Sequence, residues 1–274
     1  MSQVTWEDAL RSGDLSGALA AIKENVREKP GDGDLRLVLV HLAALAGDWE
    51  PAVKQLKLYG DLATDDKRQL LVITVTSLIE AETQRAAVIA GEREPLIFGD
   101  PLPWVADLIQ MHRHLRAGET DAALQCRENV VEAAESVSGH IDGKHFPWLG
   151  DTDSRFPAIF EAIIGGSYYW LPVQRLLGIT LPEPKGLRDL IWCPVNFQFT
   201  NGGDSPGYLC VRYPGSEKSE NQDLALARGT FWDEPTPGIV IAKGQKVLTD
   251  GENDYSLLEV RKIEFEHPDI ERPL

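Results

Sequence analysis

The stretches Gly13-Asp14-Leu15-Ser16-Gly17-Ala18-Leu19 and Gly47-Asp48-Trp49-Glu50-Pro51-Ala52-Val53 decide how the first half of this chain folds. Their glycines stand 34 residues apart, and each is followed at once by Asp and then by a small Ala and an aliphatic residue. These are the marks of two antiparallel helices: Gly permits the tight turn, and Ala lets the second helix approach closely. Pro30 then stops that helix without having to supply an N–H. Gly118-Glu119 with Ala123-Leu124 repeats the turn 71 residues after Gly47, off the strict period. Between and beyond these turns, apolar periodicity predicts helices over 3–12, 16–29, 33–46, 50–62, 66–90, 102–116 and 120–135.

Helix pairs at a 34-residue period have the spacing of tetratricopeptide repeats. After Ser136 the texture changes to short aromatic and β-branched runs divided by Gly, Pro and Asp-Gly pairs, which is strand-and-turn grammar. Asp142-Gly143 suits a two-residue hairpin turn, and strands are expected at 167–171, 191–200, 206–212, 237–249 and 254–265. Asp153 or Ser154 can cap a helix carrying Pro157 in its first turn and an apolar face of Phe156, Ile159, Phe160, Ile163 and Ile164. Another short helix fits within 219–227. The expected architecture is a multidomain α and α+β chain. A tetratricopeptide-like helical superhelix occupies 1–136. A β-rich α+β domain follows over 137–274, as a small barrel or a strongly curved sheet.

With 274 residues and 43% hydrophobic composition, the chain can bury sizeable cores. Its formal charge of −16 is spread along the whole length and argues against nucleic acid and anionic membranes as partners. No apolar run reaches the ~18–20 residues of a membrane span, and the first residues lack the pattern of a secretory signal. Three cysteines, Cys126, Cys193 and Cys210, match neither a disulfide framework nor a metal knuckle, so a cytoplasmic setting is expected. Cys193 and Cys210 read as small buried hydrophobes.

No GxxxxGK[ST], GxSxG or HExxH motif occurs, and no catalytic residue or cofactor is expected. The nearest polar constellation is His140, Asp142, His145, Asp151 and Asp153. Imidazoles and carboxylates at such spacing could hold a divalent metal for a hydrolase or lyase, which is the alternative function. The competing reading places Asp142 in a turn, Asp151 and Asp153 at a helix start, and the histidines beside a strand pair. His112 and His114 diverge on a helix and suit packing or surface roles.

Helix stacks line a concave groove with their first helices, and such grooves accept extended or amphipathic helical partners. Counting from the turns, the groove positions fall at Leu37, His41 and Leu45 in the second repeat, with Asp34 at the edge. The 34-residue step carries them to Arg68, Leu71, Val75 and Leu78. The same apolar spacing also describes a helix buried among its own neighbours.

Several segments, taken in order, resemble the ImpE/SciE/TagJ family of accessory proteins encoded with bacterial type VI secretion systems. They are Leu10-Arg11-Ser12-Gly13-Asp14-Leu15, Pro95-Leu96-Ile97-Phe98-Gly99, Trp148 with Asp151-Thr152-Asp153-Ser154-Arg155, Tyr168-Tyr169-Trp170-Leu171-Pro172, Leu187-Arg188-Asp189-Leu190-Ile191-Trp192, Asn201-Gly202-Gly203 and Arg212-Tyr213-Pro214-Gly215-Ser216-Glu217. The resemblance implies a cytoplasmic, non-enzymatic adaptor that contacts the N-terminal helix of the small contractile-sheath subunit, TssB, and modulates sheath recycling by the unfoldase ClpV. It assigns no catalytic residue. A scaffold that self-assembles without a helix ligand is a further reading of the same residues.

Overall fold

The computed structural model describes residues 4–62, 65–100, 102–268 and 270; Gln3, at the expected start of the first helix, lies outside them. Helices come first: α1 (Trp6–Arg11), α2 (Leu15–Glu28), α3 (Gly33–Leu45), α4 (Trp49–Asp61), α5 (Asp66–Ile89), α6 (Pro103–Ala117) and α7 (Thr120–Ala133), each close to its expected span. The turn chemistry operates as read. Gly13 and Gly47 adopt positive φ, 85° and 74°, and Asp14 caps α2 by accepting the Gly17 N–H at 2.7 Å.

The strands are β1 (Leu96–Ile97), β2 (Gly139–Ile141), β3 (Lys144–Phe146), β4 (Gly150–Asp151), β5 (Ile159–Ile164), β6 (Ser167–Pro172), β7 (Leu176–Thr180), β8 (Trp192–Phe199), β9 (Asp204–Cys210), β10 (Thr230–Thr236), β11 (Ile239–Gly244), β12 (Val247–Thr249), β13 (Asp254–Ser256) and β14 (Lys262–Phe265), with the short helix α8 (Gln222–Ala225) before β10. The main sheet has the order β1-β6-β5-β9-β8-β7-β14-β2-β3. A ribbon, β10-β11, and a small sheet, β13-β12-β4, complete the half.

The main sheet curls. Phe160 on β5 and Phe265 on β14 have ring centroids 6.2 Å apart, although β9, β8 and β7 stand between those strands. Strands sit ~4.8 Å apart, so a flat sheet would separate the two by ~19 Å. The concave face wraps a core containing Phe146, Phe197 and Phe199. Among the described residues the sheet does not close into a barrel, because β1 and β3 remain edges. The convex face, with Ile159, Ile163, Tyr168, Trp170 and Trp192, shares a second core with the helices.

This double burial corrects one expectation. The stretch after Asp153 is not a helix but strand β5. Ile159 and Ile163 belong to the helix-facing core and Phe160 and Ala162 to the concave one. A strand covered on both faces reads as an unbroken apolar run, in which a helical period finds a spurious face.

The two halves interlock. The change from helix to strand falls between Ala133 and Gly139, yet β1, which lies between α5 and α6, joins the main sheet. It pairs parallel to β6, with Leu96 opposite Tyr169 and Ile97 opposite Trp170. The sheet half also reads the 34-residue repeat directly. Arg228 donates to the carbonyls of Leu10 and Arg11 at the end of α1. Arg212 donates to those of Ala44 and Leu45 at the end of α3. These carbonyl pairs are one repeat apart. Each guanidinium sits at the negative end of a helix, where the dipole favours a cation.

Candidate functional site

The concave face of the helix stack is occupied by the chain itself. The 3-10 turn Leu187–Leu190 packs on α3, and β6 packs along α5. Trp192 lies 6.1 Å from Trp49, ring centroid to ring centroid, and its indole N–H donates to Glu82 Oε1 at 2.8 Å. Of the expected groove residues, Leu45, Val75 and Leu78 are 0%, 0% and 1% exposed. They belong to the interior, because the apolar spacing that suits a partner's helix suits the sheet equally well. Leu37, His41, Arg68 and Leu71 remain partly accessible near the mouth of the groove. There Arg68 lies over the Tyr59 ring and approaches Asp34 at 3.9 Å. Just beyond them α5 exposes two aliphatic side chains to solvent, Leu70 at 64% and Ile73 at 65%.

Between the halves lies a buried ionic network that periodicity does not reveal. Arg85 of α5 grips Glu161 of β5 with two bonds, Nε to Oε1 at 2.8 Å and Nη2 to Oε2 at 2.9 Å. Lys246 reaches Glu161 at 3.1 Å and Asp151 at 2.7 Å. Tyr168 donates its hydroxyl to Glu161, and Tyr213 donates to Asp151 at 2.6 Å. Burial would raise the Glu161 carboxyl, but Arg85 and Lys246 outweigh it and hold the group far below the usual carboxylate range. Burial pushes Asp151 up against the pull of Lys246. Arg212, held by carbonyls, is drawn down to about 10 by burial, opposed by Glu82 and Glu217. The residues of this junction recur in the segments quoted for the family resemblance: Asp151, Tyr168, Trp192, Arg212 and Tyr213. The missed partners had a weaker signal. Glu161 is a lone carboxylate inside the apolar run Ile159-Phe160-Glu161-Ala162-Ile163-Ile164, a placement that calls for a buried cation.

The alternative metal constellation does not assemble. His140 and His145 face each other across the β2–β3 hairpin at the sheet edge. Asp142 takes positive φ in the turn and accepts the backbone N–H groups of Arg261 and Lys262. Asp151 belongs to the network above, and Asp153 is paired with Arg155 at 2.6 Å. Each carboxylate is engaged with cations or backbone donors. Among the described residues no group of three or more His, Cys, Asp or Glu could hold a metal ion.

The remaining singled-out residues are structural. His112 is buried between Phe156 and Trp170 and pairs with the Arg155 carbonyl at 3.0 Å, while His114 pairs with Glu119. Burial pushes the Cys193 thiol up to about 11 and that of Cys210 higher still, which keeps both inert.

His41 yields a pH dependence. Its Nε2 is buried without a partner. Burial, then Arg188, with Asp189 opposing, lowers its pKa to about 4. Between that value and the ~6.5 of an unfolded chain, the unfolded state binds more protons, so stability rises with pH across this window. Acidification from pH 6.5 to 4 is expected to cost about 2–3 kcal/mol through this residue, allowing for screening of its half-buried side chain. His112 is shifted in the same direction by burial. Urea unfolding at a series of pH values checks this, and His41→Gln should flatten the slope.

Comparison with known proteins supplies the kinship. The family model described as "ImpE protein" matches residues 143–264. The type VI secretion system accessory component TagJ of Pseudomonas aeruginosa is 35% identical over 263 residues, covering 96% of this chain and 92% of that protein. The crystal structure of protein VPA1032 from Vibrio parahaemolyticus superposes with a TM-score of 0.88 at 20% identity, over 96% of this chain and 98% of that one, and shares the fold. On the strength of the near-full-length match to TagJ, this chain belongs to the ImpE/TagJ family of type VI secretion accessory proteins.

Proposed function

We propose that this protein is a cytoplasmic, non-enzymatic adaptor of a type VI secretion system, which binds the N-terminal amphipathic helix of the small sheath subunit, TssB. In this role it modulates how the unfoldase ClpV gains access to the sheath. The family kinship supports the secretion role. The observation that carries the binding mode is the exposure of Leu70 and Ile73 on α5, 64% and 65%, beside the accessible mouth residues Leu37, His41, Arg68 and Leu71. One turn apart on a helix whose opposite face is core, the two form an apolar stripe of the kind a partner's helix covers. The acidic chain, −16 overall, would favour a helix with basic flanks. No helix among the described residues is long and apolar enough to cross a membrane.

Titration calorimetry with a synthetic TssB N-terminal helix tests this. Burying a Leu or Ile side chain is worth about 1.5–3 kcal/mol. Ile73→Asp is therefore expected to weaken binding by about tenfold or more while the unfolding midpoint stays unchanged. Equal affinity of the variant and the parent would contradict the assignment to this stripe.

A further inference from the structure

The outward face of α5 continues past Leu70 and Ile73 in both directions. Asp66, Leu70, Ile73, Ser77 and Glu80 follow one another at alternating steps of four and three residues, the spacing at which one helix presents a seam to another. Leu70 and Ile73 form the apolar centre, 64% and 65% exposed, and the exposed Asp66 and Glu80 close the two ends. At the rise of an α-helix these carboxylates stand about 21 Å apart. The seam has a boundary on each side. Toward α4, Gln69 donates to the Gly60 carbonyl at 3.2 Å. Toward the sheet, Gly166 in the β5–β6 turn comes so near that a Cβ there would stand 3.1 Å from Ser77 Cβ.

The charges at the two ends identify the occupant. Among the described residues neither Asp66 nor Glu80 makes an ion pair. Arg68 turns instead to Asp65 at 3.5 Å and Asp34 at 3.9 Å, and Arg85 turns inward to Glu161 and Glu82. Lys67 lies about 90° round the helix from the seam. A second copy of this chain is a poor occupant. Whether two such seams ran parallel or antiparallel, each end would bring carboxylate toward carboxylate. We propose that the seam pairs with a helix of a partner protein that is apolar at its centre and carries Lys or Arg at both ends, about 21 Å apart. Asp66 and Glu80 then determine which helix is accepted, by attraction to basic ends and repulsion of acidic ones. The pairing rests on the α5 stripe of the proposed function and adds the two residues that select its occupant.

Two designed helical peptides of about 21 residues, sharing one Leu seam but ended by Lys in one and Glu in the other, test this on the full chain by fluorescence anisotropy. The Lys-ended peptide is expected to bind about tenfold more tightly than the Glu-ended one. High salt should shrink that preference, and Asp66→Lys with Glu80→Lys should reverse it. Ile73→Asp should weaken both peptides. Asp65, which caps α5 by accepting the Arg68 N–H at 2.9 Å, is left in place, and thermal midpoints check that the variants fold. Should the reversed variant misfold, Asp66→Asn with Glu80→Gln is expected to erase the preference. The proposal is overturned if the parent binds both peptides alike or neither, or if a folded variant keeps the parent's preference. A TssB helix that binds the parent while neither designed peptide does would leave the proposed partner standing and this pairing refuted. Discrimination between the designed peptides without TssB binding would do the reverse.

Discussion

Replacing Glu161 with Ala is expected to destabilise the protein by about 3–5 kcal/mol, the cost of removing one partner from a buried ion pair. The reason is what remains. Arg85, 6% exposed, and Lys246, 4% exposed, would both keep their charge inside the junction. The Tyr168 hydroxyl, which also hydrogen-bonds with Trp170 Nε1 at 2.9 Å, would lose its acceptor. Asp151 would still answer Lys246, and Glu82, at 3.4 Å, would be left to answer Arg85. Urea denaturation measures the loss as a lower midpoint. Breaking the Arg11–Asp8 pair, whose side chains are 75% and 54% exposed, should change little. The pH behaviour follows from the depressed carboxyl. Its stabilisation is complete above the ordinary value near 4.5 and is lost progressively as pH falls from there to the far lower folded value. Mild acid therefore weakens the protein through the buried histidines and not through Glu161.

Much of the helical half was legible because its signals are local. Gly13 and Gly47 need positive φ, Asp14 needs a nearby N–H, and both requirements are met within a few residues. The Asp142-Gly143 turn was legible for the same reason. What escaped local reading depends on distant covers. Whether Val75 faces a partner or the chain's own sheet cannot be told from α5 alone, since both demand the same spacing. The strand Ile159–Ile164 imitated a helix because two cores cover it. The ionic junction joins residues 76 positions apart for Arg85 and Glu161, and 95 apart for Asp151 and Lys246. Neither pair leaves a periodic trace. The segments that carry the family resemblance supply many of the residues of this junction. Their side chains hold the helix stack against the sheet, as Arg212 does at the ends of Ala44 and Leu45.

The sheet fills the concave face of the helix stack, so both halves are expected to stand or fall together. α5 joins them through Val75, Leu78 and Ile79 in the shared core and through the Arg85 pair. The Tyr168 backbone N–H adds a bond to Gln84. Losing so many buried contacts at once should leave the helices unable to hold their arrangement. Native-state hydrogen exchange of the full chain measures this most directly. The amides of Val75 and Leu78 in α5 and those of Tyr168 and Trp170 in β6 are expected to share one opening free energy, and Glu161→Ala should lower all four together. If the α5 amides open at a distinctly lower free energy while β6 stays protected, the halves are independent and the concave face is not held by the sheet.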